Sequence, residues 1–303
     1  MVLAMTGMMA RSRRLGVAAL SYAAPEDMRS KRAVIRLVER LSGQARVERI
    51  YRQVRASLRP EDDVWAQAMR GLDITVRHDP YRLADMPQQG PLVVVANHPF
   101  GVVVGLALCH LVAKARQDFR VVAMSTLCRM PEIRAHVLPI NFANTRDAVA
   151  TSARSRAAAR ALLIAGGCLL IFPAGAVSTS RLPFGLAEDA PWHPFVGRLV
   201  QSSRAAVLPV RFEGQNSRLF QLVSQVSPTL RLSLLLREAV SRIGTEIEAH
   251  LGQVLPFESL AAFDDPKALV EHLREVTYGL GASMPVRPIS PRRRLAWPRH
   301  SIQ

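Results

Sequence analysis

Apolar side chains recur every three or four positions between residues 30 and 58, in one stripe before Gly43 and a second stripe after it. This spacing predicts two amphipathic helices with a break near Gly43. The opposite faces of both predicted helices carry arginines. Such a basic surface suits anionic lipid headgroups, and it is equally typical of a solvated face on helices that pack against the rest of a protein. The arginines concerned are Arg36, Arg40, Arg46, Arg49, Arg52 and Arg55.

A different pattern begins at residue 91, where the run PLVVVA is short, apolar and rich in β-branched residues. Such a run is typical of a buried parallel strand. Downstream, predicted strands alternate with predicted helices, which indicates an α/β layer fold. The strands are predicted at 120–124, 168–172, 206–212 and 245–251, and the helices at 102–116, 130–136, 147–165, 193–203, 229–242 and 266–280. A further helix is predicted upstream of this pattern, at 62–71.

This patterning divides the chain into four parts: a flexible N-terminus at 1–29, N-terminal helices at 30–75, an α/β domain at 76–284 and a basic flexible tail at 285–303. The apolar run at 161–177 is interrupted by glycine and proline and falls short of the roughly 20 residues of a membrane-spanning helix. We therefore expect no transmembrane segment. At the N-terminus an apolar run precedes the arginines, the reverse of a secretory signal, so we expect no secretion.

The net charge of the chain limits the classes of binding partner that we expect. Forty Lys and Arg residues against 24 Asp and Glu residues give a formal net charge of +16. An excess this large predicts an anionic partner, which is a nucleic acid, an anionic membrane surface or a phosphorylated substrate. No nucleic-acid-binding motif is present and only 6% of residues are aromatic, so we expect a membrane surface and no nucleic acid. Three widely spaced cysteines favour neither a disulfide framework nor a zinc site.

The segment LVVVANHPFG, residues 92–101, places His98 between a predicted strand and a predicted helix. Backbone N–H groups at the start of a helix form an anion site. The positive end of the helix also disfavours an imidazolium, which helps to keep the ring neutral and able to accept a proton. A lone histidine at such a turn is more often structural than catalytic, so this segment alone does not assign a function.

Three further segments follow in the chain: PINFANTR at 139–146, FPAGAVS at 172–178 and VLPVRFEGQNSRLF at 207–220. In this order and spacing the four segments resemble the four sequence blocks of the lysophospholipid acyltransferases. The resemblance covers roughly residues 85–220, and its wording is closest to the branch of ornithine-lipid O-acyltransferases and haemolysin-like proteins. It implies the glycerolipid acyltransferase fold, with a mixed, mostly parallel sheet flanked by helices.

The resemblance also implies a reaction. His98 is expected to act as the general base that removes a proton from the hydroxyl of a lyso-lipid acceptor, of the lysophosphatidate or lyso-ornithine lipid type. The oxygen then attacks the thioester carbonyl of acyl-CoA or of acyl carrier protein. No metal and no organic cofactor is expected, and no G-x-S-x-G element points to a serine nucleophile. Such an enzyme is expected in the cytoplasm, peripheral on the inner face of the cytoplasmic membrane.

By the same resemblance, Arg146 is expected to bind the phosphate or other anionic headgroup of the acceptor, because a guanidinium matches such groups. Its alternative role is a surface ion pair, for example with Asp147. Gly175 is expected to allow close approach of substrate and Ser178 to donate a hydrogen bond to it. The alternative for both is an ordinary turn after a strand.

The remaining predicted substrate-binding residues lie in the first and fourth blocks. Asn97 and Gly101 flank His98 in the first block. Asn216 and Arg218 of the fourth block are expected either to meet the headgroup or the thioester carrier, or merely to brace the loop.

Two departures from the family pattern qualify these expectations. Ala174 stands where the family more widely has glutamate, which favours an acceptor other than simple glycerol phosphate. Val104 stands where the best-matching branch has the acid that supports the histidine, with Gly105 fixing the register. Valine accepts no hydrogen bond, so the chain is expected to be a slow enzyme or a catalytically inactive lipid-binding protein with the same fold. Glu213 is the nearest replacement acid in the motifs.

Overall fold

The computed structural model of the chain describes residues 28–142, 145–182 and 184–281. Most of the flexible N-terminus and all of the basic tail predicted from the sequence lie outside these residues. In the described part, the strands are β1 (Thr75–Arg77), β2 (Leu92–Ala96), β3 (Phe119–Met124), β4 (Val137–Ile140), β5 (Cys168–Ile171), β6 (Ala206–Phe212) and β7 (Glu246–Leu251).

The helices alternate with these strands from β1 onward. They are α1 (Arg29–Leu41), α2 (Gln44–Ser57), α3 (Val64–Gly71), α4 (Pro80–Ala84), α5 (Val102–Ala113), α6 (Arg146–Ile164), α7 (Phe195–Ser203), α8 (Arg218–Val226), α9 (Pro228–Ser241), α10 (Phe257–Leu260) and α11 (Pro266–Gly279). Two short 3₁₀ helices, Ser125–Arg129 and Arg134–His136, lie between β3 and β4.

The strands form one sheet in the order β1-β7-β6-β2-β5-β3-β4. Strands β2 to β6 run parallel to one another, and the β6–β7 pairing is antiparallel. The predicted mixed, mostly parallel sheet flanked by helices is therefore confirmed. Strand β2 occupies the centre and is buried at every position, which explains why its sequence is continuously apolar rather than alternating.

Side chains of β2 supply both cores of the domain. Leu92, Val94 and Ala96 belong to a core that includes α3 and α5. Val93 and Val95 belong to a second core that includes α6, α7 and α11. Helices therefore cover both faces of the sheet, and the ends of the strands are where loops are free to form a site.

A buried arginine fixes one of these two ends. Arg116 is 2% exposed, and its guanidinium donates to the carboxylate of Asp118 and to backbone carbonyls of Pro87, Gly90 and Gly166. Two of these carbonyls, those of Gly90 and Gly166, lie two residues before the starts of β2 and β5. A fully paired buried guanidinium is strongly destabilised by loss of any partner. The cluster therefore ties together the starts of the two central strands.

Several sequence predictions of local structure need correction. The predicted helix at 130–136 is wrong, because this stretch holds only the 3₁₀ turn Arg134–His136 and then enters β4. Strand β4 is an edge strand, and an edge tolerates Pro139, which lacks a backbone donor. Helix α8 was not predicted. Its apolar residues do recur at helical spacing, and the helix exposes Leu219, Leu222 and Val226 while it buries Phe220.

The break predicted near Gly43 separates the N-terminal helices α1 and α2. Gly43 has a left-handed backbone, with φ +92°. Both helices contact α9, and α2 also contacts α3. Arg55 forms an ion pair with Glu132 at 2.6 Å. In the described ranges, no helix combines the length and the apolar character that crossing a bilayer requires. Binding of lipid headgroups by the remaining arginines stays a prediction.

Candidate active site

The four motif segments meet because of the direction of the strands. Each follows the carboxyl end of a strand: residues 97–101 follow β2, 141–146 follow β4, 172–178 follow β5, and 213–220 follow β6. These four strands run parallel, so their carboxyl ends share one edge of the sheet. In open α/β sheets this edge is where ligands bind. The Arg116 cluster lies at the opposite edge.

His98 is fixed through its backbone. Its N–H donates to Oδ1 of Asp189 at 3.1 Å, and its carbonyl accepts a hydrogen bond from the N–H of Ser178 at 3.0 Å. The imidazole packs against the ring of Phe172, with the ring centroids 4.1 Å apart. Two motif segments and the loop that carries Asp189 thus hold the histidine in place.

The imidazole of His98 makes no hydrogen bond with the described residues, and its Nδ1 is buried. Burial lowers the pKa of His98 to about 4. The ring is therefore neutral at neutral pH, as a general base must be. The sequence pointed to the end of a helix as the reason for neutrality, whereas in the structure the cause is loss of water around the ring.

Asp189 is a buried acid that the sequence reasoning missed. It is 5% exposed and accepts hydrogen bonds from Ser178 Oγ at 2.5 Å and Trp192 Nε1 at 2.9 Å in addition to His98 N. Burial raises the pKa of its carboxyl. Its neighbour Glu188 is exposed and pairs with Arg274, so the sequence alone does not tell which acid turns inward. The sequence feature that could have pointed to Asp189 is the tryptophan three residues further on, Trp192.

The hydroxyl of Ser178 has a structural partner. Ser178 is 2% exposed, and its single proton is donated to Asp189. The predicted donation from Ser178 to substrate is therefore unavailable in this arrangement. The hydrogen bonds support a role for Ser178 in positioning His98 instead.

Asn97 also acts within the protein. Its side-chain amide donates to the carbonyl of Phe212 at 2.9 Å, and its side-chain oxygen accepts from the N–H of Phe212 at 2.7 Å. Both polar ends of the amide are occupied. These bonds therefore support a structural role for Asn97 rather than the predicted direct contact with substrate. Asn97 joins the histidine loop to the end of β6.

The two predicted glycines allow the segments to approach closely. Gly101 has φ +60°, and a β-carbon there would lie 3.5 Å from Cγ2 of Val177. Gly175 has φ +68°, and a β-carbon there would lie 3.9 Å from Cε1 of Phe142. Both positions therefore require a left-handed backbone that favours glycine. They bring the third segment against the first and the second.

Arg146 begins α6 and is exposed. Within the described residues it makes no ion pair with Asp147 and no hydrogen bond with the other predicted site residues. Thr145 caps the helix by accepting a hydrogen bond from the N–H of Ala148 at 3.2 Å. The guanidinium therefore stands at a helix N-terminus without a hydrogen-bond partner among the described residues, and headgroup binding by Arg146 remains a prediction.

The fourth segment contains an unpaired buried amide. Asn216 is 1% exposed, and neither atom of its amide has a partner among the described residues. The loop is braced by its neighbours: Gln215 accepts from the N–H of Ala187, and Ser217 donates to Glu238. Bracing by the side chain of Asn216 is thus not observed. A buried amide without partners costs about 1–3 kcal/mol, which a ligand hydrogen bond would offset.

Arg218, the other predicted residue of this segment, is exposed at the start of α8. Its guanidinium carbon lies 5.3 Å from the ring centroid of Phe184, within cation–π distance. Contact with headgroup or thioester carrier remains a prediction for Arg218.

Neither of the two residues considered for the supporting acid supplies a hydrogen-bond acceptor to the imidazole of His98. Val104 on α5 is completely buried in the apolar core. Glu213, the replacement suggested by the sequence, faces another histidine, with its Oε1 2.9 Å from Nε2 of His250. The part of the chain that the structure describes contains no group of three acidic, histidine or cysteine side chains placed to hold a metal. A reaction without metal or cofactor stays a prediction.

Comparison with known proteins places this geometry in a family. The profile of the family described as Acyltransferase matches residues 25–286. A lyso-glycine lipid O-acyltransferase from Phocaeicola vulgatus is 24% identical over 209 residues, which cover 65% of this chain and 71% of that protein. The crystal structure of the 1-acyl-sn-glycerophosphate (LPA) acyltransferase PlsC from Thermotoga maritima aligns with 83% of this chain and 96% of its own, at 14% identity and a TM-score of 0.43. The chain belongs to the lysophospholipid acyltransferase family.

Proposed function

We propose that the protein transfers a fatty acyl group from a thioester to the hydroxyl of a lyso-lipid, with His98 as general base. The observation that carries this proposal is the neutral, buried imidazole at the edge where the four motif segments meet. Family membership supports acyl transfer of the lysolipid type.

In the proposed step, the acceptor hydroxyl gives its proton to His98 as its oxygen attacks the thioester carbonyl. The C–S bond then breaks, and the proton passes from the imidazolium to the departing thiolate of CoA or of acyl carrier protein. Because Nδ1 is buried, Nε2 is the nitrogen that takes part. No acyl-enzyme forms, and no metal or organic cofactor takes part.

This assignment has a consequence for the rate. Nε2 accepts a proton only in the tautomer that carries hydrogen on Nδ1, and this hydrogen would be buried without an acceptor. The opposite tautomer is therefore favoured in the resting enzyme. We propose on this ground that Val104, in place of the supporting acid, makes the protein a slow acyltransferase.

The same observation is compatible with a second candidate function, which family membership does not favour. A histidine locked in the unproductive tautomer would leave a lipid-binding protein with the acyltransferase fold and no turnover. The two candidates differ only in whether thioester is consumed, so an enzymatic assay separates them.

For the acceptor, we propose a lyso-lipid with an amino-acid headgroup, of the lyso-ornithine or lyso-glycine type, ahead of lysophosphatidate. Ala174 removes the glutamate that the family more widely carries. The relative from Phocaeicola vulgatus is named for a lyso-glycine lipid. The exposed guanidinium of Arg146 supplies a partner for an anionic headgroup, and the unpaired amide of Asn216 supplies a hydrogen-bonding group.

We place this activity at the inner face of the cytoplasmic membrane, with the protein bound peripherally. An anionic membrane surface is the proposed partner, because the chain carries a formal net charge of +16 and its acceptor resides in the bilayer.

A thioester-release assay tests the proposal. The purified protein is given acyl-CoA or acyl carrier protein with lysophosphatidate, lyso-ornithine lipid or lyso-glycine lipid, and free thiol and acylated lipid are measured together. Acylated product that is lost in His98→Ala supports acyl transfer. Binding of lyso-lipid without thiol release from any pair supports the lipid-binding alternative. Lipid analysis of cells with the gene deleted and restored shows which lyso-lipid accumulates.

A further inference from the structure

Six large apolar side chains are exposed in two neighbouring segments beside the site. Three lie in the loop after Ser180 and three on α8, and we call them together the apolar tip. They are Leu182 (67% exposed), Phe184 (75%), Leu186 (84%), Leu219 (44%), Leu222 (41%) and Val226 (82%).

The two segments of the apolar tip are joined to each other. The guanidinium of Arg218 on α8 lies over the ring of Phe184 in the loop. The base of the loop is also tied to α8, because the side-chain oxygen of Gln221 accepts a hydrogen bond from the N–H of Ser180 at 2.8 Å. The exposed side chains therefore form one surface rather than scattered positions.

The surface on α8 is not the outer face of an ordinary amphipathic helix. Leu219, Leu222 and Val226 recur at spacings of three and four and share one side of the helix. The opposite side buries Phe220 and Gln221 in the protein. A helix that exposes leucine and buries glutamine has its apolar stripe directed at a partner, and contiguous exposed apolar surface marks such an interface.

The loop of the apolar tip is attached at both ends to residues that hold His98. Ser178, just before the loop, donates its N–H to the carbonyl of His98. Asp189, just after it, accepts from the N–H of His98. Whatever the apolar tip contacts is thereby brought to the histidine.

We propose that the apolar tip inserts into the surface of a lipid bilayer and brings His98 to acceptors held in that bilayer. Arg181 and Arg218 are exposed beside the apolar side chains, and this combination matches anionic headgroups above an apolar interior. The chain as a whole is strongly basic. The inference deepens the proposed function, because it names the form in which the acceptor is reached.

Fluorescence quenching tests insertion directly. Phe184→Trp places a reporter in the apolar tip, and Tyr81→Trp is the control at an 82%-exposed position elsewhere. Each variant is mixed with vesicles of anionic phospholipid that contain lipids with a nitroxide on the acyl chain. Quenching above that of the parent protein in Phe184→Trp but not in Tyr81→Trp supports insertion. Equal quenching in the two variants overturns the proposal.

A second experiment tests the consequence for catalysis. The variant L182S/F184S/L186S is compared with Y81S/I164S, which removes apolar side chains that are 82% and 58% exposed outside the apolar tip. We expect the triple variant to bind anionic vesicles about tenfold more weakly and to lose activity on vesicle-held lyso-lipid in proportion. Its activity on a short-chain lyso-lipid dissolved as monomers is expected to stay at the parental level.

The outcomes separate this inference from the proposed function. Unchanged vesicle binding by the triple variant overturns the role of the apolar tip, whatever the activity. If the parent is instead a dimer that the triple variant converts to a monomer with unchanged vesicle binding, the apolar tip is an interface between copies of the chain. If the parent does not acylate the monomeric acceptor, this result counts against acyl transfer but not against insertion of the apolar tip, since the quenching experiment needs no reaction.

Discussion

Asp189 accepts a hydrogen bond from the backbone N–H of His98 at 3.1 Å and forms none with the imidazole. The acid thus fixes where the histidine sits and leaves open which nitrogen carries the proton. Asp189→Asn replaces one carboxylate oxygen by a donor, which opposes either Trp192 Nε1 or Ser178 Oγ. We expect a fall in kcat/KM of roughly tenfold and a lower free energy of unfolding, by about 1–3 kcal/mol.

A purely positioning role has a further signature. The acid limb of the pH–rate profile of Asp189→Asn should coincide with that of the parent, since Asp189 does not exchange protons with substrate. A limb displaced along the pH axis would instead assign Asp189 to proton transfer. Glu188→Gln, at the exposed neighbour, is the matched control and should leave activity unchanged.

Burial of His98 predicts an unusual pH dependence. A group with a pKa of about 4 remains neutral as pH falls, and becomes a charged imidazolium, unable to accept a proton, only near that value. We therefore expect kcat/KM to hold from pH 7 to about 5. A histidine at the ordinary pKa of about 6.5 would already have lost about tenfold by pH 5.5.

His98→Ala is expected to abolish acyl transfer with little change in the unfolding temperature, because the imidazole makes no hydrogen bond within the described structure. Product formation by this variant at the parental rate would remove His98 from the mechanism. Circular dichroism of the two proteins checks that the fold is retained.

Val104→Asp is expected to raise the rate by at least about tenfold, or about 1.4 kcal/mol of barrier. By the family resemblance, a carboxylate here is expected to accept the hydrogen of Nδ1 and to select the productive tautomer of His98. Because Val104 is completely buried, the variant should also unfold at a lower temperature. Val104→Leu is the control for packing and should not gain activity. A fully active parent that Val104→Asp impairs would contradict the idea.

Gly214 provides a test of how the fourth segment is held. It has φ +101°, and a β-carbon there would lie 2.7 Å from Cζ of Phe100 in the histidine loop. Gly214→Ala should therefore lower the free energy of unfolding by about 1–3 kcal/mol and reduce activity, as measured by denaturant titration and turnover. Gly279→Ala is the control, since a β-carbon there meets no atom within 4 Å. Equal stability of the two variants would refute the steric argument.

The basic face of α2 predicts salt-sensitive membrane binding. Charges at a surface are screened over about 8 Å at physiological ionic strength, so added salt should release the protein from anionic vesicles. R46Q/R49Q removes two exposed arginines of α2 and should weaken this binding. R154Q/R160Q, on α6, has the same change in charge and should bind as the parent does. Sedimentation with neutral and anionic vesicles alike would contradict the prediction.

The parts of the fold that the sequence predicted well are those set by local pattern. The short, mainly apolar runs of β2, β5 and β6 indicate buried strands. Strand β4 was missed because its identity depends on pairing with β3 rather than on its own four residues. Helix α8 was missed although its apolar residues recur at helical spacing, because its first three residues were interpreted as part of the fourth motif segment.

The same limit applies to the site. The motifs predicted where His98, Arg146 and Asn216 lie in the chain, and the direction of the strands explains why the segments converge. The partner of Asn97 is the backbone of Phe212, which lies 115 residues away, and the partner of Ser178 is Asp189, outside any motif. Hydrogen-bond partners at such separations are decided by tertiary packing, so no motif spacing reveals them.

The Arg116 cluster ties the starts of the two central strands, at the edge of the sheet away from His98. The cluster thereby stabilises the sheet at the edge where no substrate contact is proposed. The loops at the opposite edge contribute little to this stabilisation. Stability of the sheet and recognition of substrate therefore depend on different residues. A loop residue such as Ala174 can therefore be changed, with an effect on the acceptor, while the fold is retained.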